Sequence, residues 1–415
     1  MKRVLMVAFH FPPLAGSSGI QRTLRFVQHL PAFGWEPIVL TADPRAYERT
    51  SEDLMREVPS GVYVERAFAL DAARHLSVGG RYPMFVARPD RWMSWRFAAI
   101  PAGLRLIRKY QPQVIWSTFP IATSLAIGDA LHRRSQLPWI SDFRDPMAQE
   151  GYPEDPRIWR SFKRIEERAI RGSRFSVFTA PGAARAYRER YPDVAGRIKL
   201  IENGYDEEDF VDLPGPDAPR TSLNPGALTL LHSGVVYPSE RDPSHFFAAL
   251  EGMIRRGQLS RGELKVRFRA SGYDEVLTRM TRQHQLEDYV ELLPPIPYRA
   301  ALEEMVRADG LLILQAANCN QQIPAKLYEY LRAARPILAL TDPGGDTAKV
   351  LCEAGFDSVA RLDSPNEIAE LLGRFIDAGI EKQRQIPDRD YVARASRKAR
   401  AETLSELLNQ AAFVP

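Results

Sequence analysis

Two charged side chains in the run 321–340, QQIPAKLYEYLRAARPILAL, stand where a helix would not choose them. The spacing of Leu327, Tyr330, Leu331 and Ala334 predicts a helix from Ala325 to Ala334, opened by Pro324 and stopped by Arg335-Pro336. Lys326 then falls in the first turn, where the helix dipole disfavours a cation. Glu329 follows three residues on, and lysine before glutamate is the weaker order for a helical ion pair. A bound diphosphate would remove the oddity. It would sit on the free N–H groups of the first turn and on the Lys326 ammonium, and Glu329 would accept hydrogen bonds from the two hydroxyls of a ribose. A solvated surface pair, worth little, explains the same residues and is the commoner case.

Other candidate groups lie in loops. Gly16 and Gly19 end the small-residue stretch after Phe9-His10-Phe11-Pro12-Pro13 and would let backbone approach a ligand. They do not make GxGxxG, and His10 reads as a structural or loop histidine rather than a base. Asp142-Phe143-Arg144-Asp145-Pro146 sets two carboxylates and a guanidinium within four residues, suited to an acceptor hydroxyl or a phosphate and equally to a salt bridge closed within the loop. No further ligands cluster with the two aspartates, so no metal site is expected. Arg241 precedes a helix from about Ser244, again a cation where the dipole prefers an anion. Between 81 and 109, seven cations (Arg81, Arg88, Arg91, Arg96, Arg105, Arg108, Lys109) meet a single acid, Asp90, and are interleaved with Trp92, Trp95 and Phe97. That mixture suits peripheral contact with a membrane. A helix packed on a sheet with a solvated basic face fits better, because Pro101 interrupts the amphipathic pattern.

The elements that must hold these groups alternate. Val4–Ala8, a loop, a helix from about Ile20 to Phe33 and Ile38–Thr41 make a βαβ unit, the start of a doubly wound parallel sheet. Strands over 114–117, 139–141, 175–178 and 197–201 continue it, with helices between. After a proline-rich stretch the pattern restarts with strands near 227–232, 264–270, 290–293, 311–314 and 336–340 and a short one near Ser358. The expected organisation is α/β: a Rossmann-like acceptor-side domain over 1–204, a linker over 205–226, a Rossmann-like nucleotide-binding domain over 227–385, and a final helix within 386–415 packing back on the first domain. Ligand loops of the two domains are expected to face a central cleft.

Bulk composition narrows the class. The chain has 415 residues, 45% hydrophobic and 26% charged, with net charge +4, which points to two ordinary globular domains. Acids are mixed through most of the chain, so the small basic excess does not imply nucleic acid. Cys319 and Cys352 have no metal-ligand spacing and are too few for a disulfide framework, which suits a reducing cytoplasm. The opening MKRVLMVAF reads as a buried strand rather than a leader, and no run is long enough to span a membrane.

The order of these pieces resembles glycosyltransferase family 4, retaining sugar transferases of the GT-B fold. The matching segments are PPLAGSSGIQR, GWEPIVLT, DFRDP, ENGYDEEDF, LLHSGVVYPSERDP and, most specifically, IPAKLYEYLRAARPILAL. The resemblance implies a nucleotide diphosphate sugar as donor substrate with no separate cofactor, and a glycan or lipid-linked acceptor in surface polysaccharide assembly. A cytoplasmic location is expected from the cysteine usage, with peripheral contact at the inner face of the membrane through 81–109 as the further option. The resemblance assigns Glu329 to the ribose and the backbone near Ile323, with Lys326 and Arg241, to the diphosphate. Gly16 and Gly19 fall under the donor phosphates, with Arg22 supporting their loop. Arg144 and Asp145 of an RDP-type loop fall on the acceptor side, Asp145 positioning the acceptor. The family's first glutamate is missing, because Gln321 occupies its place. A sugar epimerase or phosphorylase of the same architecture, and a non-catalytic nucleotide-sugar binder, are the rival readings.

Overall fold

In the computed structural model, residues 1–16, 19–215, 221–382 and 387–413 are described. Their strands form two parallel sheets. The first holds β1 (Lys2–Val7), β2 (Trp35–Ala42), β3 (Tyr63–Ala67), β4 (Val114–Thr118), β5 (Trp139–Arg144), β6 (Phe175–Phe178) and β7 (Ile198–Leu200), in the order β3-β2-β1-β4-β5-β6-β7. The second holds β8 (Leu228–Ser233), β9 (Leu264–Arg269), β10 (Val290–Leu293), β11 (Gly310–Leu314), β12 (Ile337–Leu340) and β13 (Val359–Ala360), in the order β10-β9-β8-β11-β12-β13. Both are doubly wound. Strand order reverses between β1 and β4 and again between β8 and β11, the places where such sheets open a crevice at their carboxyl ends. The central strands are apolar runs because helices cover both faces: Val4 to Val7 and Leu311 are wholly buried.

The chain divides into two compact units, Met1–Asn203 joined by the segment from Arg397, and Gly204–Ser396. In the first, the helix Arg397–Ala412 inserts Ala401, Leu404, Leu407 and Leu408 into a core with Val4, Met6, Leu24 and Trp116. The proposed linker over 205–226 is therefore not uniform. Tyr205 and Phe210 are buried in the second unit, the Arg332 guanidinium lies 5.0 Å from the Phe210 ring, and Arg332 donates to Glu207. Pro216, Pro219 and the expected boundary at 385/386 lie outside the described residues.

Three elements depart from expectation. β3 was not foreseen: its sequence YVERA has exposed and half-buried positions, as an edge strand does, and lacks a continuous apolar signal. The helix Trp95–Tyr110 runs through Pro101, forgoing the hydrogen bond to the carbonyl four residues back. Its neighbourhood also turns both tryptophans inward: Trp95 Nε1 donates to the Thr41 carbonyl at 3.3 Å and Trp92 Nε1 to that of Ala46 at 3.1 Å, leaving Phe85 and Phe97 outside. The final helix is two, Arg389–Arg394 and Arg397–Ala412, broken where the chain passes from one unit to the other. No helix among the described residues is long and apolar enough to cross a membrane.

Candidate functional site

The second unit gathers Lys326, Arg241, Glu329 and Ile323 around the carboxyl ends of β8 and β11. The helix expected from Ala325 begins one residue later, at Lys326, with Ala325 as its cap. Pro324 does not open it but accepts the Leu327 N–H from its own carbonyl, 2.9 Å away. Leu327, Tyr330 and Leu331 bury the predicted face, and the Tyr330 hydroxyl accepts the Ser233 N–H at 2.9 Å, tying the helix to the end of β8. Ile323 is buried beside the turn that leads into Lys326, while Gln321 is exposed.

Lys326 Nζ points back to β8 and lies 3.1 Å from His232 Nε2. Neither Lys326 nor Arg241 forms an ion pair with a carboxylate among the described residues; Arg241 donates to the Val235 carbonyl at 2.6 Å and stacks over Tyr237. The neighbouring acid, Asp242, is used to cap the helix Ser244–Arg255, accepting the Ser244 N–H at 2.9 Å. Burial first, and the Arg241 charge second, hold the Lys326 ammonium well below the usual lysine range, with Glu329 opposing. Glu329 accepts a hydrogen bond from the Tyr298 hydroxyl at 2.8 Å. Two basic side chains with no carboxylate ion pair among the described residues, at a helix start beside a parallel-sheet switch point, are chemically ready for an anion.

The first unit gathers Gly19, His10, Arg144 and Asp145 around the ends of β1 and β5. A methyl group on Gly19 would stand 2.3 Å from His10 Nδ1 and 2.7 Å from Arg144 Nη1, so only glycine fits. Gly16 has φ +79 and no neighbour within 4 Å: it is a turn glycine. Burial, then the Arg144 charge, push the His10 imidazole down to about 3, which leaves it neutral. The two aspartates of the loop separate. Asp142 takes no part in a loop salt bridge; it is wholly buried and holds Arg22 through two contacts of 2.9 Å. Arg22 also donates to the Ile201 and Glu202 carbonyls, so it clamps β5 to the exit of β7.

Arg144 and Asp145 are placed differently. Arg144 has φ +61 at a shift of register between β5 and β6, a strained backbone of the kind found at functional sites. Its Nε is buried without a partner. Burial holds the Asp145 carboxyl above the usual carboxylate range, against the pull of Arg144. The loop beyond is pinned by Glu166, a residue the sequence reading passed over. Its buried carboxylate accepts the Ala148 N–H at 2.9 Å, the Tyr191 hydroxyl at 2.6 Å and the Tyr187 hydroxyl, and Tyr187 in turn accepts the Met147 N–H.

His232 also escaped the sequence reading; the one signal was a histidine ending an apolar strand. A cavity of about 640 Å³ at the ends of β11, β12 and β13 contains none of the predicted residues, and its Arg361 is already paired with Asp363 at 3.0 Å. Among the described residues no group of three or more metal-ligating side chains occurs.

Residues 19–209 match the model of Glycosyltransferase Family 4. That stretch contains Gly19 and Asp145 and ends before Arg241 and Lys326. No curated protein matches the chain by sequence. Among solved structures, sucrose-phosphate synthase from Thermosynechococcus elongatus is similar over 99% of each chain, with 15% identity and a TM-score of 0.69. Anabaena HepE, solved in complex with UDP-glucose, is similar over 99% of this chain and 100% of its own, with 13% identity and a TM-score of 0.67. The trehalose-phosphate synthase of Burkholderia xenovorans, solved with glucose-6-phosphate, gives 10% identity and 0.69 over 98% and 100%. At such identities the likeness establishes the fold.

Proposed function

We propose that this chain, which has the GT-B fold and matches glycosyltransferase family 4 over residues 19–209, transfers a sugar from a nucleotide diphosphate sugar to an acceptor hydroxyl with retention at the anomeric carbon. The observation that carries the reading is the pair Lys326 and Arg241, with no carboxylate ion pair among the described residues, and with Glu329 on the helix that Lys326 opens.

The leaving diphosphate gains charge as the glycosidic bond breaks. Lys326, Arg241 and the N–H groups of the turn near Ile323 offset that charge in a partly buried setting, where fixed dipoles act most strongly. Glu329 takes the ribose hydroxyls, with its carboxylate oriented by the Tyr298 hydroxyl. The departing phosphate oxygen accepts the proton of the acceptor hydroxyl on the same face, so the protein supplies orientation rather than a nucleophile. Asp145 positions the acceptor, its rigidity owed to Glu166. The acceptor is a glycan or lipid-linked sugar, and the leaving charge is carried by side chains rather than by a metal ion.

The test is a screen of nucleotide diphosphate sugars for binding, then transfer from the one that binds, with product configuration read by NMR. Transfer with retention that survives EDTA supports the proposal; inversion, or a rate lost with EDTA and restored by a divalent ion, refutes the corresponding part. Gln321 in place of a glutamate favours one rival, a nucleotide-sugar binder without catalysis. Donor binding with no sugar released to any acceptor would select it.

A further inference from the structure

His232 has no part in the transfer outlined above, yet its surroundings are built for one atom. It is the next-to-last residue of β8 and 1% exposed. Its Nδ1 lies 2.9 Å from the Leu312 carbonyl on β11. A carbonyl oxygen only accepts, so Nδ1 carries the hydrogen and donates it. The neutral ring then presents a bare lone pair at Nε2, and that atom is the one 3.1 Å from Lys326 Nζ. Phe268, its centroid 5.7 Å away, packs on the ring. Gly234 bounds the ammonium on another side: a Cβ there would stand 3.1 Å from Nζ.

We propose that His232 is a positioning residue for the diphosphate site, its Nε2 holding the Lys326 ammonium at the end of β8 where the anion docks. This rests on reading Lys326 as a diphosphate ligand. A lysine stem has four rotatable bonds, and an ammonium held on one lone pair gives up little freedom when the ligand arrives. The charge balance explains why the acceptor must be neutral. Arg241 faces Lys326 from the loop after β8 and Glu329 faces it from its own helix, with the Tyr298 hydroxyl on Glu329 and the Tyr330 hydroxyl on the Ser233 N–H. Burial and Arg241 favour the amine; Glu329 and the His232 lone pair favour the ammonium. Burial, then the Lys326 and Arg241 charges, keep His232 unprotonated against the opposing pull of its backbone contacts with Leu312 and Gly234. Without the imidazole the lysine would release its proton more readily, and diphosphate binding would have to recover that proton from solvent.

Two substitutions separate this role from packing. His232→Asn places an amide N–H where Nδ1 was, keeping the bond to Leu312 but falling short of Lys326. His232→Gln extends an oxygen to the place of Nε2 and restores the acceptor. Calorimetry of the full chain with uridine diphosphate and adenosine diphosphate, in buffers of differing ionisation enthalpy, reads affinity and proton uptake together. His232→Asn is expected to bind about tenfold more weakly than wild type, with more protons taken up per ligand and a deficit that grows as pH rises; His232→Gln is expected within about threefold. Equal binding by the asparagine variant, or equal weakness of both variants, overturns the proposal. A measurement on the unaltered protein needs no variant: among its seven histidines, 15N-labelling should show one ring with Nδ1 protonated and Nε2 bare from about pH 5 to 9, its Nε2 shift moving with ligand. Absence of such a ring overturns the proposal as well. If the wild type binds neither diphosphate, the reading of Lys326 beneath it falls, whatever the tautomer.

Discussion

Lys326 answers to two demands that conflict. Holding a cation partly buried beside Arg241 weakens the empty protein, and the same cation is what an anionic donor needs. Lys326→Met is therefore expected to raise the melting temperature by about 1–3 °C while reducing transfer by about a hundredfold or more. The pH dependence has a definite sign. The folded-state pKa of Lys326 lies below the ordinary lysine value, so between the two the unfolded chain holds a proton that the folded chain gives up. Stability from this group rises with pH through that window; in the methionine variant the slope disappears, which melting curves up to about pH 10 will show. Glu329→Ala should raise the donor KM by about tenfold or more and shift the melt little, since the bond it receives from Tyr298 lies at a partly exposed place. Lys326 and Glu329 were legible because each violates a local rule. Asp142 and Asp145 were not separable, because the residue that claims Asp142 is Arg22, 120 positions away. His232 and Glu166 were invisible for a related reason: a buried histidine or glutamate declares its use only through partners brought by the fold.

At the scale of elements, the apolar runs and the glycines between them located twelve of the thirteen strands to within a few residues, and β3 escaped for want of an apolar run. Helix ends were harder, because they depend on single torsions. The helix of the site closes on Ala334, which has φ +51, a conformation that costs any residue with a Cβ about 1 kcal/mol. Ala334→Gly should relieve it and add roughly 0.5–1 kcal/mol, measured as a higher urea midpoint at unchanged slope; a lower midpoint would mean that the Ala334 methyl contributes more by packing than it costs in strain. Pro101 interrupts the amphipathic pattern of the helix Trp95–Tyr110 without ending the helix. There the packing of Trp95, Ala99, Ala102 and Leu106 outweighs one missing hydrogen bond.

At the scale of the molecule, the first unit is not contiguous in sequence. Its core includes Leu404 and Leu408 from the last described helix. A polypeptide ending at residue 203 should therefore expose an apolar strip along the helix Gly19–His29 and aggregate, whereas joining residues 397–415 to it through a flexible linker should restore a monomer with a cooperative melt; size-exclusion chromatography distinguishes the two. The two-sheet plan could be read from the sequence, because both halves repeat one strand–helix rhythm. The expected first domain over 1–204 ends one residue from the division after Asn203; what the prolines concealed is that the start of 205–226 is no free linker, because Tyr205 and Phe210 are buried in the second unit.

The return of the chain to its first sheet also fixes an order of events on the ribosome. Synthesis from the amino end normally lets an early domain finish while later ones are still being made. Here β1 to β7 wait, one flank uncovered, until residues 397–412 have been made, and the second unit emerges with all its strands first. A nascent chain that stops short of residue 397 is thus left with a sticky, unfinished leading half, its core still lacking Leu404 and Leu408.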